Sequence, residues 1–302
     1  MIQVVCTIWG TEYDASYVNT MVRAVRKYYG GDLIFVCISE DLAIKVDPGV
    51  IVRPFPDIGV DFRALVGRCL PKLSIFVEGA LPESDVKTVY IDLDTMIFGD
   101  IGRIASMLDD KNDLFLMEIL PAWVCRVIQF ARRVFPPFDI TYGANSSVMV
   151  FYPRSFHWLG ELYKQLGPIL IKPELDPARV AFPVSGWVFR SDQRFISYFA
   201  RKHIKIVPSR LAAKFRDEWS SYLTPWIARA RGLIPAVRKR RENFVVVTFN
   251  NPGLKRDLIK GYQEGGLVKL KIPFAYWGNQ RHANLTKYLF WARAKFSDYW
   301  EA

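Results

Sequence analysis

The chain has 302 residues, 51% of them hydrophobic and 15% aromatic, enough for one large α/β domain or a domain with a smaller lobe, and too apolar for a disordered chain. No apolar run approaches the ~20 residues that a membrane-spanning helix needs. The net charge of +11 is uneven: nine basic residues stand against two acids between Pro208 and Arg241, a patch suited to an anionic partner (diphosphate, phospholipid surface or nucleic acid) or to a solvated face.

In chain order, residues 2–8 form a continuous apolar run that predicts a strand. No charged leader precedes it, so no secretory signal is expected and the chain is placed in the cytoplasm. Residues 14–29 set Val18, Met21, Val22, Val25 and Tyr28 on one helical face, ended by Gly30-Gly31. Strands are predicted at 33–38, 50–52, 87–92, 113–117, 148–152 and 205–208, and helices at 70–79, 101–108, 122–134, 155–166 and 191–200. That β-α-β rhythm predicts a mostly parallel sheet flanked by helices over 1–205. From 206 to 302 the character changes to a C-terminal extension with basic aromatic helices, one strand at 244–249 and an amphipathic tail from 285. Cys6, Cys37, Cys69 and Cys125 lack Cys-x-x-Cys spacing and read as small buried hydrophobes, not as a disulfide frame or a zinc site. His157, His203 and His282 are scattered and read as structural.

The chemistry is carried by Val89-Tyr90-Ile91-Asp92-Leu93-Asp94-Thr95. An apolar strand runs directly into Asp-x-Asp. Side chains two apart on an extended chain point to the same side, so Asp92 and Asp94 can converge while Leu93 turns away. Two carboxylates together repel unless a cation lies between them, and Mn²⁺ or Mg²⁺ takes such oxygen ligands and shares them with substrate phosphates. A turn with capping side chains is the alternative reading of the same tripeptide.

This stretch resembles the metal and nucleotide-sugar motif of the family 8 glycosyltransferases and related bacterial proteins, a likeness that covers about residues 2–255. Leu70-Pro71-Lys72-Leu73-Ser74 is similar to the helix whose basic residue lies near the donor. Gly143-Ala144-Asn145-Ser146-Ser147 is similar to the loop beside the donor sugar, with serine where glycine is usual. Asp192-Gln193 matches the pair that opens a helix near the reacting carbon. Phe249-Asn250-Asn251-Pro252-Gly253-Leu254-Lys255 resembles the closing loop. The resemblance implies a GT-A-like fold and a retaining transferase. Asp92 and Asp94 would hold the metal, with Asn250 where a histidine is usual. Lys72, Asn145 and Lys255 would bind a UDP-sugar donor, and Asp192 and Gln193 would stand at the reacting face. Each also has a plainer reading: Lys72 and Lys255 as solvated charges, Asn145 in a turn, and Asp192 favouring a helix start.

The dinucleotide fingerprint, the phosphate loop and the nucleophile elbow are all missing from the sequence. Around the basic patch, Trp219, Tyr222, Leu223, Trp226, Ile227, Leu233, Ile234 and Val237 fall at helical spacing between arginines. They predict short amphipathic helices, either packed on the sheet or lying on an anionic membrane at its inner face. Nucleic acid is the competing partner. The expected acceptor is an envelope glycan or glycolipid. A nucleic-acid-modifying glycosyltransferase and a sugar-nucleotide-binding protein with weak catalysis are the alternatives.

Overall fold

Strands made of unbroken Val, Ile, Leu and Phe need cover on both faces, and the chain meets that need with a central sheet. The computed structural model describes residues 1–59, 61, 69–118, 144–171, 191–214, 218, 233–249, 269–272 and 285–288. The helix expected at 122–134, most of the aromatic basic stretch, and Asn250 and Lys255 lie outside these residues. Two compact units are present: Met1–Val22, Gly30–Leu93 and Gly102–Pro208 form the first, and Arg23–Tyr29, Asp94–Ile101 and Ser209–Ala302 the second.

The first unit holds β1 (Ile2–Ile8), β2 (Leu33–Ser39), β3 (Val50–Pro54), β4 (Thr88–Ile91), β6 (Leu114–Glu118), β7 (Ala144–Phe151) and β8 (Ile204–Val207); β5 (Thr95–Ile97) falls in the second. The seven strands make one sheet in the order β3-β2-β1-β4-β7-β6-β8. Six strands run one way, and β7 lies antiparallel to both β4 and β6. This is the mostly parallel, helix-flanked sheet that the alternating pattern predicts. Every residue of β1, β4 and β7 is buried.

The helices follow from capping and periodicity. In α1 (Ala15–Tyr28), the Asp14 carboxylate accepts from the Ser16 amide at 2.9 Å, while Val18, Met21, Val22 and Val25 are fully buried. A short helix, α2 (Gly102–Ala105), leads into β6. Proline opens α3 (Pro153–Ile171), where it costs no hydrogen bond. Phe156, Leu159, Tyr163 and Leu166 of α3 turn into the core. Gly160 lets α3 lie against the chain at Phe76: a Cβ there would come within 2.3 Å of the Phe76 carbonyl oxygen. Ser191 caps α4 (Asp192–Phe199) by accepting from the Arg194 amide at 3.4 Å.

Four features differ from the sequence pattern. The segment expected as an α-helix at 70–79 is a 3-10 helix, Leu70–Phe76, entirely buried. Pro71 removes an amide from its first turn, and the bonds that form are of the tighter kind, such as Val77 N–H to the Ser74 carbonyl at 3.0 Å. Strand β7 begins at Ala144, earlier than the apolar residues imply, because Ala144 and Asn145 continue the pairing with β6 beyond a bulge. In the second unit, β5, β9 (Ala212–Lys214) and β10 (Val246–Thr248) form a small sheet of which only β10 was legible. Val246 to Thr248 pair antiparallel to β5 and parallel to β9. The tail starts as a strand, with β12 (Leu285–Tyr288) antiparallel to β11 (Lys269–Ile272).

The helix expected in the basic patch is present as α5 (Pro235–Glu242), which buries none of its residues. Glu218 receives Arg241 Nε at 3.0 Å and is also paired with Arg240. No helix among the described residues is long and apolar enough to cross a membrane.

Candidate active site

Four separated segments of the first unit bring polar side chains together at the end of β4. Lys72 comes from the 3-10 helix, Tyr90 and Asp92 from β4 and the residue after it, Ser146 from the start of β7, and Asp192 from the first turn of α4. In an apolar core, such groups persist only when they satisfy one another.

Lys72 is at the centre and is 3% exposed. Its ammonium lies 2.8 and 2.9 Å from the two oxygens of Asp92, 3.1 Å from Asp192 Oδ2 and 3.3 Å from Ser146 Oγ. An ammonium has three hydrogens, so all three are taken by Asp92, Asp192 and Ser146. Burial alone would lower the Lys72 pKa. The carboxylates of Asp192 and Asp92 outweigh burial and hold the ammonium well above its ordinary 10.5.

The Ser146 hydroxyl donates to Asp192 Oδ2, so that oxygen accepts from both Ser146 and Lys72. Asp192 Oδ1 accepts from no group among the described residues, although the side chain is only 3% exposed. Asp92 is more open, with 20% of its side chain exposed. Its Oδ1 also accepts from the Tyr90 hydroxyl at 2.8 Å. A carboxylate offers about four acceptor directions. Lys72 and Tyr90 use three of those of Asp92, leaving capacity on Oδ2.

Ser146 reaches this place because β7 bulges. Leu116 pairs with Met149, but Met117 pairs with Asn145, so extra residues of β7 bow out of the ladder and re-aim their side chains. The Asn145 side-chain oxygen Oδ1 fixes the bulge by accepting from the Ser147 amide at 2.9 Å. The Ser147 carbonyl in turn accepts from the Asp92 amide at 2.8 Å. Asn145 is 2% exposed, and its side-chain nitrogen donates to none of the described residues.

The structure therefore unites Lys72, Asp92 and Asp192 and places Asn145 on the bulge beside Ser146. Gln193 is the half-buried second residue of α4. Asp94 opens the Asp94–Ile101 segment of the second unit, half-buried, and its carbonyl accepts from the Phe249 amide at 2.9 Å. Asn250 and Lys255 lie outside the described residues. Within those residues no three His, Cys, Asp or Glu side chains gather around a common point.

For a divalent ion the donor chemistry of Asp92 fits. Two carboxylates, Asp92 and Asp192, against one ammonium leave the cluster one negative charge from neutrality, and one oxygen of Asp92 keeps acceptor capacity. Such a site attracts a hard cation. Sequence reasoning missed Tyr90, Ser146 and Thr7. Their signal is a polar side chain inside an otherwise apolar strand, which by itself does not say what it bonds to.

No family description matches the chain, and no curated protein does. Among solved structures it is similar to the galactosyltransferase LgtC in complex with donor and acceptor sugar analogues. The two are 13% identical, with 85% of this chain and 90% of that one covered at a TM-score of 0.51. It is also similar to the apo form of the glycosyltransferase GlyE of Streptococcus pneumoniae, at 13% identity, 100% and 60% coverage and a TM-score of 0.49. Mouse xyloside xylosyltransferase 1 is 14% identical, with 82% and 97% coverage and a TM-score of 0.45. With the sheet order, the reversed β7 and the likeness to LgtC together, the chain has the GT-A-type α/β fold of a glycosyltransferase.

Proposed function

We propose that the chain transfers a sugar from a nucleotide-diphosphate sugar, a UDP-sugar, to an envelope glycan or glycolipid, with retention at the anomeric carbon. The observation that carries this reading is the buried cluster of Lys72, Asp92, Ser146 and Asp192 within a glycosyltransferase fold. Asp92 and Asp94 would supply the carboxylate ligands of a divalent metal, Mn²⁺ or Mg²⁺, with Asn250 as a neutral third ligand. When bound, the metal neutralises charge that develops on the leaving diphosphate. Lys255 supplies a further positive charge to that group.

Asp192 and Asn145 serve the donor sugar. Asp192 keeps an acceptor oxygen and Asn145 a donor nitrogen that the described residues do not use, and a sugar hydroxyl both gives and accepts. Gln193, next to Asp192 on α4, serves the reacting face. Lys72 contributes through the carboxylates it holds, since its three N–H groups are directed at the protein. With water kept out of the cluster, these interactions act in a low dielectric, where each is stronger.

Thermal unfolding with a panel of nucleotide sugars, with and without Mn²⁺, tests the reading. A UDP-sugar raises the midpoint only when Mn²⁺ is present, and Asp92→Ala abolishes the shift. No metal-dependent shift with any donor defeats it.

A peripheral membrane contact is favoured by a specific surface. Leu233 is 74% and Ile234 48% exposed, directly before α5, where Arg238 and Lys239 are also exposed. Apolar side chains beside cations suit an anionic bilayer. The chain then sediments with anionic vesicles and is released by salt, while neutral vesicles leave it in solution. Retention by DNA and not by vesicles would favour nucleic acid instead.

A further inference from the structure

We infer that Tyr90 is a positioning residue for Asp92, and that Thr7 fixes Tyr90 in turn. The inference rests on the proposed metal role of Asp92. Tyr90 is 1% exposed, so neither donor nor acceptor touches it, and it can act only through what it holds.

The direction of the chain follows from the number of hydrogens. The Asp92 carboxylate only accepts, so the single phenol hydrogen goes to Asp92 Oδ1, at 2.8 Å. The Tyr90 oxygen also lies 2.8 Å from Thr7 Oγ1. With its own hydrogen committed, Tyr90 must accept there, and Thr7 must donate. The result is a relay from Thr7 through Tyr90 to Asp92, each bond polarising the next.

Strand register makes this possible. Val5 of β1 lies opposite Tyr90 of β4. Thr7 is two residues beyond Val5, and Asp92 two beyond Tyr90, so all four side chains share one face. Lys72 adds a second restraint, with its ammonium 5.3 Å from the centre of the Tyr90 ring.

Tyr90 and Lys72 both bind Oδ1 of Asp92, whereas only Lys72 binds Oδ2. The relay thereby decides which oxygen is spent and which is presented. Without the phenol hydrogen, Oδ1 keeps only Lys72, and the carboxylate is freer to turn about its last bond. Partners that orient a metal-binding carboxylate in this way are commonly worth 10–100-fold in metal affinity.

The test is Mn²⁺ alone, titrated into the full chain and followed by the magnetic resonance signal of the free aquo ion. Tyr90→Phe keeps the ring and removes the hydroxyl. It weakens Mn²⁺ binding about tenfold or more. Thr7→Val, which leaves the aromatic core untouched, weakens it in the same direction by a smaller factor and serves if Tyr90→Phe does not fold. In an Asp92→Ala background, Tyr90→Phe changes the residual affinity no further, because its effect passes through Asp92. Native Mn²⁺ affinity in both Tyr90→Phe and Thr7→Val overturns the relay and leaves the metal reading intact. An equal loss with and without Asp92 also overturns it, as a merely structural effect. If the native chain binds no Mn²⁺, the metal reading fails and the inference fails with it.

Discussion

Lys72→Met removes the one cation between a buried and a half-buried carboxylate while keeping an unbranched side chain of similar length. The Asp192 side chain is 3% exposed and that of Asp92 20%, so water compensates neither well. Breaking a buried ion pair by deleting one partner costs about 3–5 kcal/mol. Here a single ammonium serves two acids, at 2.8 and 3.1 Å, and the upper end applies: ~5 kcal/mol. For a chain of this size, where 1 kcal/mol moves the midpoint by about 2 °C, the melting temperature falls by ~10 °C. The assay is thermal unfolding followed by circular dichroism at neutral pH, first with a chelator and then with Mn²⁺. In chelator the variant melts ~10 °C low. Mn²⁺ restores part of the loss, and stabilises the variant by more than it stabilises the native chain, because the ammonium no longer repels the ion. Lys72→Arg recovers less than a conservative exchange implies, since a planar guanidinium cannot direct hydrogens from one atom at three acceptors. A loss below ~1 kcal/mol, the range of a surface ion pair, would refute the claim that Lys72 holds this cluster together.

Gly160→Ala sets a methyl group 2.3–2.6 Å from backbone atoms of Phe76 and Val77; backbone cannot swing aside, so α3 and the 3-10 helix separate at a cost at or above the ~1–3 kcal/mol of ordinary overpacking. Urea unfolding measures it, and an unchanged midpoint would deny the close approach. Stability falls as pH rises through the alkaline range. Bonding to Cys37 and burial raise the Cys6 pKa above its ordinary 9.0, burial raises those of Tyr90 and Tyr163 above 10.0, and the carboxylates raise that of Lys72 above 10.5. The unfolded chain therefore releases these protons first, the folded chain keeps them, and the stabilisation present below about pH 9 is lost above it. Melting in chelator at successive pH values shows the decline, and Tyr163→Phe makes it shallower. Glu218→Ala leaves Arg241, whose side chain is 14% exposed, without its carboxylate and costs about 3 kcal/mol; faster amide exchange in α5 reports it, and unchanged protection there would show that Glu218 does not anchor the helix.

The sheet was legible because its strands are long apolar runs separated by periodic helices. Residues 2–8, 33–38 and 113–117 need no tertiary information to be recognised. The 3-10 helix was misread because its apolar spacing fits an α-helix as well, and only the bonds formed after Pro71 distinguish the two. Strand β5 was hidden because Thr95 to Ile97 continue a motif already read for its carboxylates. At the site, Asp92, Asp192 and Lys72 were each visible as residues. That one ammonium spans both acids was not, since 20 and 120 positions of chain separate Lys72 from its partners and no local pattern encodes such a contact. Ser146 was visible as a departure from glycine. Its use, in bonding both Lys72 and Asp192, depends on the bulge in β7, which arises from pairing with β6.

The placement of this cluster also bears on why it persists. Lys72, Tyr90, Ser146 and Asp192 are polar groups in a core that apolar residues of similar volume would stabilise as well or better. They come from two strands and two helices that share no local sequence, so each would have to be retained separately, and Gly160 is further required to let the 3-10 helix sit where Lys72 can reach. A fold maintained for stability alone has no use for an arrangement that remains one charge from neutrality. Departures from local rules are expected where function needs them. Two carboxylates around one ammonium, with Tyr90 bonded to the more exposed of them, are such a departure, and under the proposed function the unbalanced charge suits a cation brought by the reaction and not by the fold.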